Sequence, residues 1–218
     1  MNIASYIDHT ILKPVTTIEE VEKCCIEAVE YGFAAVCIPP PFVKRAVSIL
    51  APTYIKVATV VGFPFGYSAI EAKVAETILA IVDGVQEVDM VINLIALRMK
   101  DWEYLKKEVA MVTELLHNKG KIIKLIIESG ILTDEEIIEC CTKLGPLGID
   151  FMKTSTGYAE KSASVHAVQL MRMHLPAGVK IKASGGIRSY GFAMELIDSG
   201  AERLGCSASV SIVKEVLA

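Results

Sequence analysis

The sequence predicts an α/β fold, a (β/α)8 (TIM) barrel forming one domain over residues 1–218. Three observations carry this. Eight short runs rich in β-branched residues recur from end to end, each is followed by an amphipathic helical stretch, and the runs are apolar on both faces. No break in composition marks a linker.

The strands centre on Ile7, Val36, Ala58, Met90, Leu125, Met152, Ile181 and Leu204. Consecutive parallel strands require crossovers long enough to hold a helix, and the intervening segments supply them. Three helices announce their starts by capping boxes, Thr17-x-x-Glu20, Ser68-x-x-Glu71 and Thr133-x-x-Glu136, in which paired side chains satisfy free amide hydrogens. After the first box, Val21, Cys25, Ala28 and Val29 are expected on one buried face. Gly145 and Gly200 follow their helices where a residue of positive φ commonly ends the turn. Val57-Ala58-Thr59-Val60-Val61 and Ile122-Ile123-Lys124-Leu125-Ile126-Ile127 read as strands covered on both sides. Eight such units in about 200 residues fit a closed barrel better than an open doubly wound sheet, which normally has fewer strands at this length.

Composition narrows the function. The chain is 52% apolar, yet charges break every run well short of the roughly 18 apolar residues of a membrane span. The start, Met1-Asn2-Ile3-Ala4-Ser5-Tyr6-Ile7-Asp8, lacks the basic and apolar regions of an export signal. A net charge of -4 with scattered Lys and Arg argues against a nucleic-acid surface and for a small-molecule substrate. Six cysteines occur as Cys24-Cys25, Cys140-Cys141, Cys37 and Cys206, without metal-ligand spacing. Reduced thiols in a cytoplasmic protein are expected.

Reactive groups of such barrels sit where strands end. Those positions are polar here: Asp8-His9-Thr10, Cys37, Gly62-Phe63-Pro64, Asn93, Glu128-Ser129-Gly130, Lys153-Thr154-Ser155-Thr156-Gly157, Lys182-Ala183-Ser184-Gly185-Gly186 and Gly205-Cys206-Ser207. Lys153 and Lys182 lie on consecutive strands, whose backbones would be about 4.8 Å apart if they pair. Repulsion and desolvation would then lower one pKa and leave an amine able to attack a carbonyl. The plainer alternative is that either lysine is a structural ion-pair partner. Lys124, four residues before Glu128, would sit roughly 13 Å below the mouth and suits a structural pair. Lys180 opens its strand and should reach solvent at the opposite end. Asp89, enclosed by apolar neighbours, needs a cation or a proton. It either faces the two lysines, where it could relay protons through water, or partners Lys124. Ser184-Gly185-Gly186 and Gly205-Cys206-Ser207 suggest an anion site, since the last two loops and a helix N-terminus commonly hold phosphate in barrels. Thr154, Ser155 and Thr156 could add hydroxyl donors or cap the turn.

Over nearly its whole length the sequence resembles the deoxyribose-phosphate aldolases, most specifically in Ile7-Asp8-His9-Thr10, Glu87-Val88-Asp89-Met90-Val91-Ile92-Asn93, Phe151-Met152-Lys153-Thr154-Ser155-Thr156-Gly157 and Lys182-Ala183-Ser184-Gly185-Gly186-Ile187-Arg188. The resemblance implies a class I lyase that reversibly cleaves 2-deoxy-D-ribose 5-phosphate to D-glyceraldehyde 3-phosphate and acetaldehyde. It implies Lys153 as the Schiff-base residue, Lys182 as the lysine that perturbs it, and Asp89 in proton transfer. Gly157, Gly185, Gly186 and Ser207 match phosphate-holding positions. Asp8, Thr10, Cys37, Thr154, Thr156 and Gly205 complete the candidate substrate contacts. No metal and no cofactor are expected, and a homodimer is a family-level expectation. Three features depart from the pattern. The segment Tyr158-Ala159-Glu160-Lys161-Ser162-Ala163 lacks a glycine pair, Ala208 replaces a frequent serine, and the sequence ends at Ala218 without a tyrosine-ended tail. Two other readings compete. A sugar-phosphate epimerase or transaldolase-like barrel is one, although only His9 is a strand-end histidine. A catalytically dead binding barrel is the other, against which Asp89, Lys153 and Lys182 stand intact.

Overall fold

The computed structural model describes residues 2–217; the reading of the terminus at Ala218 lies outside them. Eight parallel strands close into a barrel in chain order: β1 (Ile7–Thr10), β2 (Ala35–Ile38), β3 (Lys56–Val61), β4 (Glu87–Val91), β5 (Ile122–Ile126), β6 (Phe151–Lys153), β7 (Lys180–Ser184) and β8 (Arg203–Cys206). All eight expected centres fall within them. Pairing of β8 with β1, Ile7 opposite Leu204 and Asp8 opposite Gly205, closes the ring. The helices around it are α1 (Ile18–Tyr31), α2 (Val43–Leu50), α3 (Ile70–Val82), α4 (Leu94–Arg98), α5 (Trp102–His117), α6 (Asp134–Leu144), α7 (Val165–His174), α8 (Tyr190–Asp198) and α9 (Ser209–Leu217). Among the described residues no helix is long and apolar enough to cross a membrane.

Strand alternation sorts the side chains into two cores. One set, including Ile7, Val36, Val57, Met90, Leu125, Met152, Ile181 and Leu204, packs into the large apolar cluster with buried helix residues such as Val21, Val109 and Leu196. The other set, on the alternate strand positions, carries Asp8, Glu87, Asp89, Lys124, Lys153 and Lys182, all buried. Its apolar part is small: Cys37, Ala58 and Val60, with Leu12 and Phe63 against them. The strands are therefore buried on both faces, as expected, but for different reasons on each.

Both threonine capping boxes form, at Thr17 with Glu20 and at Thr133 with Glu136. The Ser68 box does not. α3 begins at Ile70, with Ala69 as an N-cap that makes no side-chain bond. The preceding loop is pressed against the end of β4, where a Cβ on Gly66 would come 1.9 Å from the Ile92 carbonyl oxygen. Packing thus fixes where the chain enters the helix and leaves Ser68 one residue too early. Val29 is exposed rather than buried, and the buried face of α1 is Val21, Cys24, Cys25 and Ala28. Eight residues after Val21, at 3.6 per turn, Val29 has rotated about 80° away from the core. Gly200 takes the expected positive φ of 113°, but Gly145 does not: its φ is -53°, the chain continues in a 3-10 turn, and Gly148 takes φ 84°. Space is what Gly145 provides, since a Cβ there would lie 2.9 Å from Pro176 Cδ.

Candidate active site

β6 and β7 pair with Lys153 opposite Lys182, so both side chains enter the barrel from the same level. β4 and β5 pair with Asp89 opposite Lys124. Asp89 becomes the meeting point. Its Oδ2 accepts from Lys153 Nζ at 2.6 Å and from Lys182 Nζ at 2.7 Å, and its Oδ1 accepts from Lys124 Nζ at 2.8 Å. The two alternatives for Asp89 are thus both realised: it faces the paired lysines and partners Lys124. Lys124 also lies 2.6 Å from Glu87 and 3.4 Å from Asp8. Asp8 binds Lys182 through one oxygen and Arg203 at 2.7 Å through the other. Arg203 reaches Glu87 at 3.1 Å.

This cluster joins four cations, Lys124, Lys153, Lys182 and Arg203, to three carboxylates, Asp8, Glu87 and Asp89. With every member ionised it holds one positive charge too many. Burial disfavours that excess, and the shifts show where it is relieved. The Lys153 pKa is lowered by burial, with Asp89 opposing and Lys182 adding to the effect. Burial alone would also lower those of Lys124 and Lys182, yet their carboxylate partners overcome it and raise both. Burial would raise the Asp89 carboxyl, but Lys124, Lys153 and Lys182 together hold it well below 3.8. Asp8 is likewise lowered, its cations outweighing burial. Lys153 has Asp89 as its sole salt-bridge partner among the described residues, so it is the amine that most readily loses its proton.

Above the cluster a cavity of about 510 Å³ opens at the mouth, lined on one side by Lys153. Seven of the ten candidate substrate contacts line it: Thr10, Thr156, Gly157, Gly185, Gly186, Gly205 and Ser207. Gly157, Gly185 and Gly186 all have positive φ, near 89°, 88° and 77°, and the Gly157 Cα would lie 3.2 Å from a Cβ on Gly185. Two loops therefore approach backbone to backbone beside the cavity, which only glycine permits. The segment after Gly157 is held by close contacts: Ser162 packs over Gly185 and the Lys161 carbonyl over Gly130.

The other three candidates are not on the cavity wall. Asp8 is fully buried in the charge cluster. Cys37 is also fully buried, 3.9 Å from Asp89 Oδ2, and burial, with Asp89, pushes its thiol up to about 11. Thr154 ties β6 to β7, donating to the Ser184 carbonyl at 3.3 Å and accepting from Ser184 N at 3.1 Å. Lys180 is exposed at the start of β7, as expected.

Sequence reasoning missed Arg203 and Glu87 as members of the charge cluster. The signal was strand parity: Glu87 stands two residues before Asp89, and Arg203 pairs in register with Lys182. Glu128 stands out in the sequence only as a polar strand end, with no role given; the residue is 3% exposed and its carboxylate accepts from Thr156 N and Thr156 Oγ1. Here the signal was a carboxylate directly at a strand end.

The sequence model of one protein family, described as "DeoC/LacD family aldolase", matches residues 2–207. A deoxyribose-phosphate aldolase of Caldanaerobacter subterraneus subsp. tengcongensis is 49% identical over 216 residues, covering 99% of this chain and 94% of the relative. Among solved structures, one described as a putative deoxyribose-phosphate aldolase from Coccidioides immitis superposes with a TM-score of 0.95 at 40% identity, covering 100% of this chain and 86% of the other. A deoxyribose phosphate aldolase from Aeropyrum pernix, described as tetrameric, gives 0.92 at 29% identity, covering 99% and 91%.

Proposed function

The chain belongs to the DeoC/LacD family of aldolases, and from that premise we propose that it reversibly cleaves 2-deoxy-D-ribose 5-phosphate to D-glyceraldehyde 3-phosphate and acetaldehyde through a Schiff base on Lys153. One observation carries this reading. Lys153 is the strand lysine on the cavity wall, its pKa is lowered chiefly by burial, and its neighbours Lys124 and Lys182 are held protonated beside it.

The neutral Lys153 amine attacks C1 of the open-chain sugar, and loss of water gives a protonated imine. As the C3 hydroxyl loses its proton, C3 becomes a carbonyl, the C2–C3 bond breaks, and its electron pair neutralises the imine nitrogen to form an enamine. Glyceraldehyde 3-phosphate leaves. Protonation at C2 and hydrolysis of the imine then release acetaldehyde and restore the amine. Asp89 is assigned to these proton transfers, working with a water, and Lys182 to perturbing Lys153, because Asp89 Oδ2 contacts both lysines. The phosphate is assigned to the glycine-rich wall of Gly157, Gly185, Gly186 and Ser207, where backbone amides can approach an anion.

Lys153→Ala and Lys153→Arg test the reading. Each should reduce cleavage by at least about 1,000-fold while the cooperative melt survives, since neither side chain forms an imine at neutral pH. Borohydride with acetaldehyde should add a two-carbon label to the peptide holding Lys153 in the parent and to neither variant. Near-normal turnover in Lys153→Ala would remove the residue from this role.

A further inference from the structure

Glu128 is a buried carboxylate with no ion-pair partner within 4.0 Å among the described residues. Its backbone is also unusual: φ 56° and ψ 54° place a non-glycine residue in the left-handed region. Such strain persists where surrounding contacts hold it, and here they are specific. Both carboxylate oxygens face Thr156, accepting from its backbone N–H at 3.3 and 3.2 Å, and Oε2 also accepts a short bond from its hydroxyl. Next to Glu128, Ser129 N donates to the Thr154 carbonyl at 2.7 Å, which fixes the two loops together.

The bonding inventory of Thr156 is then nearly full. A threonine hydroxyl has one proton to donate and two lone pairs. Burial raises the Glu128 carboxyl pKa, with the Thr156 bonds and Lys153 opposing it, and while the group is ionised it only accepts, so the Thr156 proton points to Glu128. One lone pair receives Tyr158 N–H at 3.0 Å. What Thr156 has left for the cavity it lines is a single accepting lone pair. It is therefore not a hydroxyl donor for phosphate; of the two roles the sequence left open, donor or turn cap, it takes the cap, receiving Tyr158 N–H. An accepting oxygen would repel that anion. It suits a substrate hydroxyl, and Thr156 stands in the chain between the reactive Lys153 and the anion-approach Gly157.

We propose that Glu128 is a positioning residue that commits the Thr156 hydroxyl proton, so that Thr156 presents only an accepting oxygen and selects substrates carrying a hydroxyl between the aldehyde carbon and the phosphate. This deepens the aldolase reading above and rests on it.

The test compares Glu128→Gln, Glu128→Asn, Thr156→Val, Thr156→Ser and the double variant Glu128→Gln/Thr156→Val. Two readouts are taken: kcat and KM for cleavage of 2-deoxy-D-ribose 5-phosphate, and borohydride-trapped imine with acetaldehyde, which has no hydroxyl to read. Thr156→Val should lose roughly 10- to 100-fold in kcat/KM, the size of effect when a bonded substrate hydroxyl loses its partner. Thr156→Ser should stay within about threefold of the parent, because its hydroxyl is retained. Glu128→Gln should fall by about as much as Thr156→Val, and the double variant should be no worse than Thr156→Val alone, as expected when one residue acts through the other. Acetaldehyde imine should form as in the parent throughout, and inhibition by inorganic phosphate should be unchanged in Thr156→Val. If Glu128→Gln loses its cooperative melt, Glu128→Asn takes its place, since asparagine tolerates the left-handed region but is too short to hold Thr156 in the same way. Additive losses in the double variant, a parallel fall in trapped imine, or weakened phosphate inhibition would each overturn the proposal. Failure of the parent to trap acetaldehyde would instead remove the aldolase reading beneath it.

Discussion

A single oxygen, Asp89 Oδ2, accepts from both Lys153 and Lys182, yet the two lysines are pushed in opposite directions. The difference lies in their other partners. Lys182 also holds Asp8, whereas among the described residues Lys153 pairs with Asp89 alone, so burial prevails at Lys153 and attraction prevails at Lys182. Lys182→Leu removes a positive charge that helps keep Lys153 neutral while roughly preserving side-chain volume. The protonated form of Lys153 is then favoured, and its amine becomes available only at higher pH. The expected outcome is a basic displacement of borohydride-trapped imine plotted against pH, with about tenfold or more loss of imine at pH 7. An undisplaced curve with lower turnover would assign Lys182 to proton transfer or positioning rather than to tuning. The contribution of burial, the largest cause of the shift at Lys153, should survive this substitution.

At the scale of elements, β4 carries Asp89 and is clamped from outside by a buried ion pair between α3 and α5. Lys73 Nζ binds Glu108 at 2.6 Å, with both side chains inaccessible, and donates to the Val91 carbonyl at 2.7 Å. Glu108 in turn accepts from Asn93 N at 2.9 Å. Burial lowers the Lys73 pKa and raises that of Glu108 despite their mutual attraction, so desolvation outweighs the pairing. Such a pair contributes little by existing but costs much when halved. Lys73→Met should destabilise the protein by about 3–5 kcal/mol in urea unfolding. Adding Glu108→Gln, which keeps an acceptor for Asn93 N, should recover most of that loss. A double variant no more stable than Lys73→Met would show that the clamp works by geometry and not by charge compensation.

For the whole molecule, the charge cluster couples barrel stability to pH. Asp8 and Asp89 have folded-state values below their ordinary 3.8 because of their cations. Groups lowered in this way add stability that is present above the ordinary value and is lost as pH falls through the folded one. Glu108 and Glu128 act in the opposite sense, since burial raises them, and relieve some strain as they protonate. The two aspartates make the more numerous ion pairs, so they should dominate. Unfolding free energy measured in urea is expected to change little between about pH 7 and 5 and to fall steeply below about pH 4. A curve flat to pH 3 would mean that the cluster stays paired in the unfolded chain or contributes nothing.

Local pattern was enough to locate all eight strands, because each is a short apolar run bounded by turn residues and followed by its own helix. It was also enough to single out Lys153, Lys182 and Asp89, since an ionisable residue inside a run of this kind stands out against its immediate neighbours. The placement of Lys124 in an ion pair below the mouth followed from strand rise alone. Other features required ring closure. Arg203 meets Asp8 only because β8 pairs with β1, across nearly the length of the chain, and no local window contains both. Thr154 and Thr156 look equivalent in sequence, yet one hydroxyl is consumed between β6 and β7 and the other is turned by Glu128 from the neighbouring strand end. Distant segments also decide at Gly66, whose close approach to Ile92 precedes the failed box at Ser68, and at Gly145, where glycine gives space beside Pro176. The sequence by itself determined that Lys153, Lys182 and Asp89 are ionisable groups inside buried strands, because their nearest neighbours along each strand are apolar. Only the tertiary structure decided their charge and hydrogen-bond direction, because those depend on partners brought together by closing the barrel.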